Sequence, residues 1–379
     1  MIIIQLAGGL GNQMFQYALY LQLKSLGKEV KIDDVAGFAQ DAQRDPALMP
    51  FGIDYERPTA EELREMLDSS MMPWSRVRRK LFGRKKRSYF EADKRYHPEV
   101  MEWDDIYLEG YWQTEKYFEG VSEAVKAAYD TDWLLQYVRQ QERASARSIE
   151  QNARAESGRS IEHNAGAESG RSIMQNTGTE SGQSIEQNVD LESCGNLYSN
   201  TEKTHDAQAE LPQRTVDEWL TKITSTESVS VHIRRGDYLL PENQRLFGGI
   251  CTEAYYRNAM MQMKKEHPDC TFYLFTNDKE WAEEWIATGW NADKEKSSAE
   301  TVRTDLRTED IEIINLSRHS DYAEFVLMSR CRHHILANSS FSWWASYLNR
   351  NPAKTVFAPA KWLNGWDCED IYRADMRRI

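Results

Sequence analysis

The stretch Ser-Val-Ser-Val-His-Ile-Arg-Arg-Gly-Asp-Tyr-Leu-Leu-Pro, residues 228–241, decides how the rest of the chain is read. Val229, Val231 and Ile233 are β-branched and alternate with small or polar residues, the pattern of a strand. The strand then runs into His232, Arg234, Arg235 and Asp237, with Gly236 between the charges. Downstream and just upstream, helical and strand patterns alternate: helix 215–224, helix 252–266, strand 271–276, helix 279–288, strand 311–314, helix 321–330, strand 333–337, helix 341–349 and strand 355–358. Such alternation predicts a parallel sheet covered on both faces, an α/β domain. Ligands of these sheets lie beyond the carboxyl ends of the strands. The functional residues are therefore sought after each strand.

After strand 228–233, the guanidinium forks of Arg234 and Arg235 suit phosphate oxygens and keep their charge. A buried Arg–Asp pair is the bland alternative. After strand 271–276, Asp278 reads either as a helix cap or as a nucleotide contact. After strand 333–337, Asn338, Ser339, Ser340 and Phe341 open a helix, where hydroxyls and free N–H groups suit an anion or a plain cap. Near the N-terminus, strand 2–6 leads into Gly8-Gly9-Leu10-Gly11-Asn12-Gln13 and a helix over 13–26, with a second strand at Val30–Ile32. Asp33 and Asp34 make a dinucleotide site tempting, but Met14 stands where the third glycine of that fingerprint belongs. The helical region 59–68 and the strand and turn of DIYLEGYWQTEKYF (105–118) complete this part.

The chain has 379 residues and a net charge of −13, which argues against nucleic-acid binding. Five cysteines, Cys194, Cys251, Cys270, Cys331 and Cys368, are scattered and never spaced C-x-x-C, as expected in a reducing compartment. No apolar run spans a membrane, and a cytoplasmic location is expected. Asp130-Thr131-Asp132 is the one D-x-D; placed before WLLQYV, it reads as a helix start rather than a metal site. Positive charge for a departing diphosphate then falls to the arginines.

Residues 145–192 hold four copies of a 12-residue unit, marked by Ile149, Ile161, Ile173 and Ile185. One large apolar residue per unit is too little to stack a core, so a disordered or loosely helical insertion is expected. In PWSRVRRKLFGRKKRSYF (73–90), eight basic residues oppose the sign of the whole chain and are interleaved with Trp74, Leu81, Phe82, Tyr89 and Phe90. That pattern suits contact with an anionic membrane surface.

GGLGNQMFQYA (8–18), EGYWQTEKYF (109–118), VHIRRGDY (231–238), YLFTND (273–278) and NSSFSWWASYL (338–348) together resemble the bacterial α-1,2-fucosyltransferases, whose mark is an H-x-R-R-x-D motif. The resemblance implies a GT-B fold, two Rossmann-like domains facing across a cleft. It implies metal-independent, inverting transfer of fucose from GDP-β-L-fucose to the 2-hydroxyl of a galactose-terminated glycan. Carried onto this chain, it puts the donor on Asn12, His232, Arg234, Arg235, Asp278, Asn338, Ser339, Ser340 and Phe341. Arg235 is the expected catalytic cation and Asp237 the expected base, although the arginines can also hold Asp237. Expected domains are 1–144 on the acceptor side, 145–213 as insertion, and 214–379 for the GDP-sugar. A lipid-linked acceptor would account for the basic stretch and for a place at the inner membrane face. The alternatives are an NAD-dependent oxidoreductase, resting on the glycine turn, and a non-enzymatic carbohydrate-binding protein, resting on 12 Trp and 18 Tyr.

Overall fold

The computed structural model describes residues 1–39, 41, 44–68, 72–82, 87–165, 213–289, 306–318 and 320–379. In the N-terminal part, β1 (Ile2–Gln5) leads through the glycine turn into α1 (Leu10–Ser25), followed by β2 (Val30–Asp33). Then come α2 (Ala60–Met66), α3 (Pro73–Phe82), β3 (Ser88–Phe90) and β4 (Ile106–Glu109). Helices α4 (Ser122–Ala128) and α5 (Thr131–Ala165) close this part. The C-terminal part runs α6 (Val216–Thr224), β5 (Glu227–Ile233), α7 (Pro241–Phe247), α8 (Glu253–Glu266), β6 (Cys270–Thr276) and α9 (Lys279–Gly289). It ends with β7 (Ile311–Ile313), α10 (Asp321–Arg330), β8 (His333–Ile335), α11 (Ser340–Leu348), β9 (Val356–Ala358) and β10 (Met376–Arg378).

Both sheets are parallel throughout, so the α/β class holds. The first sheet has the order β2-β1-β4-β3, the second β10-β9-β8-β5-β6-β7. Counted from β5 as its first strand, the second sheet reads 3-2-1-4-5-6, the doubly wound order of nucleotide-binding folds. Strand order reverses between β5 and β8, and helices leave the sheet toward opposite faces there. A crevice opens at that point because the connections diverge. In the first sheet the corresponding neighbours are β1 and β4.

The strands of the second sheet are buried on both faces because helices cover both. All seven residues of β5 except Glu227 are buried. Helix starts are conventionally capped: Thr59 with Glu62 and Thr215 with Glu218 form reciprocal capping boxes.

Residues 1–142 and 213–379 form one compact unit, so both sheets share a core. Phe15 of α1 packs on Trp343 and Trp344 of α11 at centroid separations of 4.6 and 4.8 Å, and Phe118 stacks on Trp344. Trp343 and Trp344 are fully buried, which leaves neither as a sugar-stacking surface. Of the unit Arg143–Pro212, the described part is helix through Ala165, which includes the whole first repeat. Ile149 is 67% exposed there, in keeping with a repeat that builds no core. Ile173 and Ile185 of the later repeats and Cys194 lie outside the described residues, as do Arg84, Lys85 and Lys86. Among the described residues no helix is long and apolar enough to cross a membrane.

Candidate functional site

The switch point of the second sheet collects the motif. Arg234 and Arg235 follow β5 directly, and their side chains part, Arg234 to Asp237 and Arg235 to Asp278. Arg234 grips Asp237 with both arms of its fork, Nε to Oδ1 and an Nη to Oδ2, each at 2.8 Å. Arg44, from the N-terminal part, reaches the same Asp237 Oδ2 at 3.3 Å. Burial pushes the Asp237 carboxyl upward, but the Arg234 pair outweighs it and holds the group below the usual carboxylate range. Arg235 points elsewhere: its Nε donates to Asp278 Oδ2 at 2.9 Å, and its guanidinium lies 4.1 Å from the Trp281 ring centroid. Asp278 also caps α9 by accepting from Trp281 N at 3.2 Å. The two adjacent arginines thus serve different walls.

His232 is 7% exposed, and its Nδ1 meets no protein hydrogen-bond partner. Burial, reinforced by the charge of Arg234, pushes its pKa down to about 3, so the ring is neutral. Beside it lies Phe341, 5.7 Å away between ring centroids. After β8, the Asn338 side chain donates to Trp362 O at 3.1 Å and accepts from Cys251 Sγ at 3.3 Å, which makes it a framework residue in this state. Ser339 caps α11, its hydroxyl accepting from Phe341 N.

The N-terminal motif is a hub of side-chain amides. Asn12 Oδ1 accepts from Ser340 Oγ and from Gln113 Nε2, both at 2.7 Å. Two donors occupy that oxygen, so the Asn12 NH2 is the end left to turn toward a ligand. Gln13 binds Gly8 O, Asp45 O and Ala47 N, fixing the loop after β2. Gln16 links the turn after β1 to the turn after β4 through Ala7 N and Gly110 O. Gly11 is required by close approach: a Cβ there would lie 2.5 Å from the Ser340 carbonyl carbon. Trp344 Nε1 donates to Gly11 O at 2.9 Å and seals the crossing. These contacts bring the turn after β1 against the start of α11.

Sequence reading overlooked Glu91, Arg44 and Asp321. Glu91 is 2% exposed and its carboxylate accepts from Tyr111 N, Trp112 N and Lys94 Nζ, at 3.0, 3.2 and 2.7 Å. It thereby holds Trp112 in a left-handed backbone conformation, φ 56°, just before Gln113. Nothing in the linear spacing marks Glu91, because the backbone donors it holds, Tyr111 N and Trp112 N, lie 20 and 21 residues away.

Next to Arg44 and the glycine turn lies a cavity of about 440 Å³, within the usual size of small-ligand pockets. Gly8, Gly9, Arg44, Tyr137, Asp321 and Tyr322 are among its lining residues, with Asp45 and Glu142 adding carboxylates. Asp321 acts electrostatically on His232 and on Arg234, so the cavity adjoins the charged end of β5.

The rival sites dissolve on inspection. Asp33 binds Val35 N, Ala36 N and the Tyr107 hydroxyl, while Asp34 binds Tyr55 and Arg57; these bonds occupy the acids a dinucleotide ribose would need. Asp132 of the D-x-D pairs with Arg330 and Arg350 at the start of α5. Among the described residues, Glu227, His267 and His333 bring ligand atoms within 4.8 Å of one another. They stand at the opposite, amino-terminal end of β5 and β8. Thr355 N donates to His333 Nδ1 at 2.9 Å, which puts that ring's proton on Nε2, the nitrogen facing Glu227 at 2.8 Å. A protonated nitrogen cannot ligate, and the group is a hydrogen-bonded cluster.

Residues 196–375 match the family described as Glycosyl transferase family 11. The chain is 33% identical over 150 residues to an alpha-1,2-colitosyltransferase of Escherichia coli, a match covering 38% of this chain and 46% of that protein. It is 31% identical over 120 residues to galactoside alpha-(1,2)-fucosyltransferase 1 of Saimiri boliviensis boliviensis, over 32% of this chain and 28% of the relative. The chain thus spans less than half the length of these curated relatives. Among solved structures, POFUT1 in complex with GDP-fucose aligns over 94% of this chain and 97% of its own, with 11% identity and a TM-score of 0.33. The heptosyltransferase WaaC of E. coli aligns over 100% of this chain and 92% of its own, with 10% identity and a TM-score of 0.32. The family match and the curated relatives bear out the resemblance read from the motifs.

Proposed function

We propose that this chain, related to glycosyl transferase family 11 over residues 196–375, transfers L-fucose from GDP-β-L-fucose to the 2-hydroxyl of a galactose-terminated glycan, inverting the configuration at C1. The observation that carries the reading is the meeting of two strand-end motifs. Arg234 and His232, at the switch point of one sheet, stand with Ser340, which is bonded to Asn12 at the switch point of the other. A nucleotide sugar lying there would leave its diphosphate on Arg234, with the neutral His232 and the Asn12 amide beside it. Arg235, Asp278 and the Trp281 face suit the nucleoside side.

This reading moves the leading cationic role from Arg235 to Arg234, because Arg234 shares Asp237 with Arg44 at the edge of the cavity. Asp237 then orients arginines. The donor belongs with residues 214–379 and the acceptor with 1–144. Arg234, with Arg44 beside it at Asp237, supplies the positive charge for the leaving diphosphate, and the reaction on this reading needs no metal. A lipid-linked acceptor fits the exposed apolar side chains of α3, and a cytoplasmic enzyme resting on the inner membrane face follows from it.

The test combines GDP titration with transfer from labelled GDP-fucose to a panel of galactose-terminated glycans, with linkage mapping and excess EDTA in parallel. An α-1,2 product formed equally with and without EDTA is expected. Binding of NAD without binding of GDP would reinstate the oxidoreductase. Activity lost in EDTA and restored by Mn²⁺ or Mg²⁺ would overturn the arginine-only account.

A further inference from the structure

Trp343 and Trp344 are buried, but Trp366 is 42% exposed. It stands on the loop after β9, at the carboxyl end of the second sheet. Two bonds tack the turn before it to the end of α7: Asn364 N donates to Leu246 O at 2.9 Å and Asn364 Nδ2 to Gly248 O at 2.8 Å. Gly365 then turns the chain with φ 76°, in the left-handed region that glycine adopts freely. Earlier in the same loop, Trp362 O accepts from Asn338 Nδ2, which ties the loop to the turn after β8. Residues of the N-terminal part hold its far end: Asp367 pairs with Arg95, and Asp370 Oδ2 accepts from Tyr96 N at 2.8 Å. An exposed indole on a segment fixed this firmly loses little freedom when a ligand arrives.

The loops after β3 and β4, at the carboxyl ends of the first sheet, supply its neighbours. Lys94 Nζ lies 5.9 Å from the Trp366 ring centroid and 5.6 Å from that of Tyr111. The ammonium therefore stands between two aromatic rings. Buried Glu91 sets that spacing, because one of its oxygens accepts both from Lys94 Nζ at 2.7 Å and from Tyr111 N at 3.0 Å. Tyr111 in turn borders the Asn12 amide. A Cβ built on Gly8 would lie 2.7 Å from Asn12 Nδ2 and 3.2 Å from Tyr111 Cε1, so the two meet at one spot. Asn12, Tyr111, Lys94 and Trp366 thus form a row leading outward from the place given to the nucleotide sugar.

A pyranose offers an apolar face of C–H bonds and a rim of hydroxyls. Aromatic rings beside a single charged donor match both. We propose that this row is the acceptor subsite: the terminal galactose rests against Tyr111, the next sugar of the glycan stacks on Trp366, and Lys94 donates to a hydroxyl between them. The assignment rests on the fucosyl-transfer reading and carries it further. The acceptor site then includes a residue of the C-terminal part, and the substrate is a glycan longer than its terminal galactose. Galactose alone would fill only the inner half of the row.

The experiment measures acceptor kinetics with methyl β-galactoside and with a β-galactosyl disaccharide, beside GDP titration and thermal unfolding, for wild type, Trp366→Ala and Trp366→Phe. Wild type should favour the disaccharide in kcat/KM. Trp366→Ala should raise KM for the disaccharide by about 5–30-fold, as expected when a dominant aromatic contact is truncated. Its KM for the galactoside and its GDP affinity should stay within about threefold of wild type, since neither ligand reaches the indole. Trp366→Phe should recover much of the disaccharide KM, because an aromatic face remains. If Trp366→Ala fails to fold, Trp366→Leu, which keeps bulk without that face, carries the same decision. An unchanged disaccharide KM overturns the subsite and leaves fucosyl transfer standing. So does an equal rise for both acceptors, a loss of GDP affinity, or a wild type indifferent to the second sugar. A wild-type protein that neither binds GDP nor transfers fucose fails one level lower, at the reading beneath.

Discussion

Ser340 donates its hydroxyl to Asn12 Oδ1 at 2.7 Å, joining positions 328 residues apart. The bond lies where α1 and α11 touch, and Gly11 is the reason they can. A Cβ at position 11 would meet main-chain atoms of Ser340 and Phe341 at 2.5 and 2.6 Å, which cannot swing aside. Gly11→Ala should therefore cost about 1–3 kcal/mol by overpacking and lower transfer with it. Gly9 has nothing within 4 Å of its added Cβ, so Gly9→Ala serves as the neighbouring control in urea unfolding. Equal stability of the two variants would contradict the crossing described above.

Arg234→Lys should reduce kcat/KM more than Arg235→Lys does. Lysine cannot reproduce the two-armed grip on Asp237, and a lost charge-assisted contact in the transition state is worth about 2–4 kcal/mol. At Arg235 the change removes one bond to Asp278 and the packing over Trp281. Steady-state kinetics on both variants decides the order; the reverse order returns the leading role to Arg235.

Stability should fall as pH drops from about 7.5 to 5.5. His232 is pushed down to about 3 by burial and then by Arg234; burial likewise pushes His334 well below its ordinary value and lowers His333. The unfolded chain takes up these protons near pH 6.5, whereas the folded chain does not. Their contribution is complete above about pH 6.5 and lost as pH falls toward the folded values, by at most about 1.4 kcal/mol per pH unit for each ring. His97 runs the other way: its bond to Asp93 raises it, so its support is present at low pH and lost as pH rises through its folded value. That histidine lies near the surface, where screening keeps the effect small. Denaturant midpoints across this range check the balance, and a flat or rising trend toward pH 5.5 contradicts it.

Anionic vesicles should adsorb the protein at low salt and release it at high salt. On and after α3, Trp74, Leu81 and Phe90 are 83%, 68% and 71% exposed. Arg78 and Arg87 are already paired, with Asp68 and with Glu65 and Asp105, so these two add little to the attraction. Trp74→Ser with Leu81→Ser should weaken sedimentation with phosphatidylserine vesicles. Equal binding to neutral vesicles removes the electrostatic part of the idea.

The second sheet was legible because buried parallel strands announce themselves. In β5 and β6 apolar and β-branched residues cluster between turn signals, and the helices between them keep their period. Short or half-exposed elements escaped: β3 (Ser88–Phe90) buries no residue fully, and β10 (Met376–Arg378) buries only Met376. Helix α7 begins with Pro241 at its first turn, right after the charged motif that drew attention away from it. Motif chemistry identified Arg234, Arg235, Asp237 and Asp278 but not which pairs with which, since that depends on the turn taken after β5 and on β6 lying next to it. Arg44 and Asp321 carry no local signature; only the folded chain brings them to the end of β5.

The seam at Asn12 and Ser340 also sets when the protein can first work. Until the ribosome has released α11, the turn after β1 has nothing to close against. At roughly 5–20 residues per second, synthesis leaves the completed N-terminal sheet waiting tens of seconds for its counterpart. The seam thus forms only after α11 has been made, and a chain truncated before residue 340 should not bury Phe15.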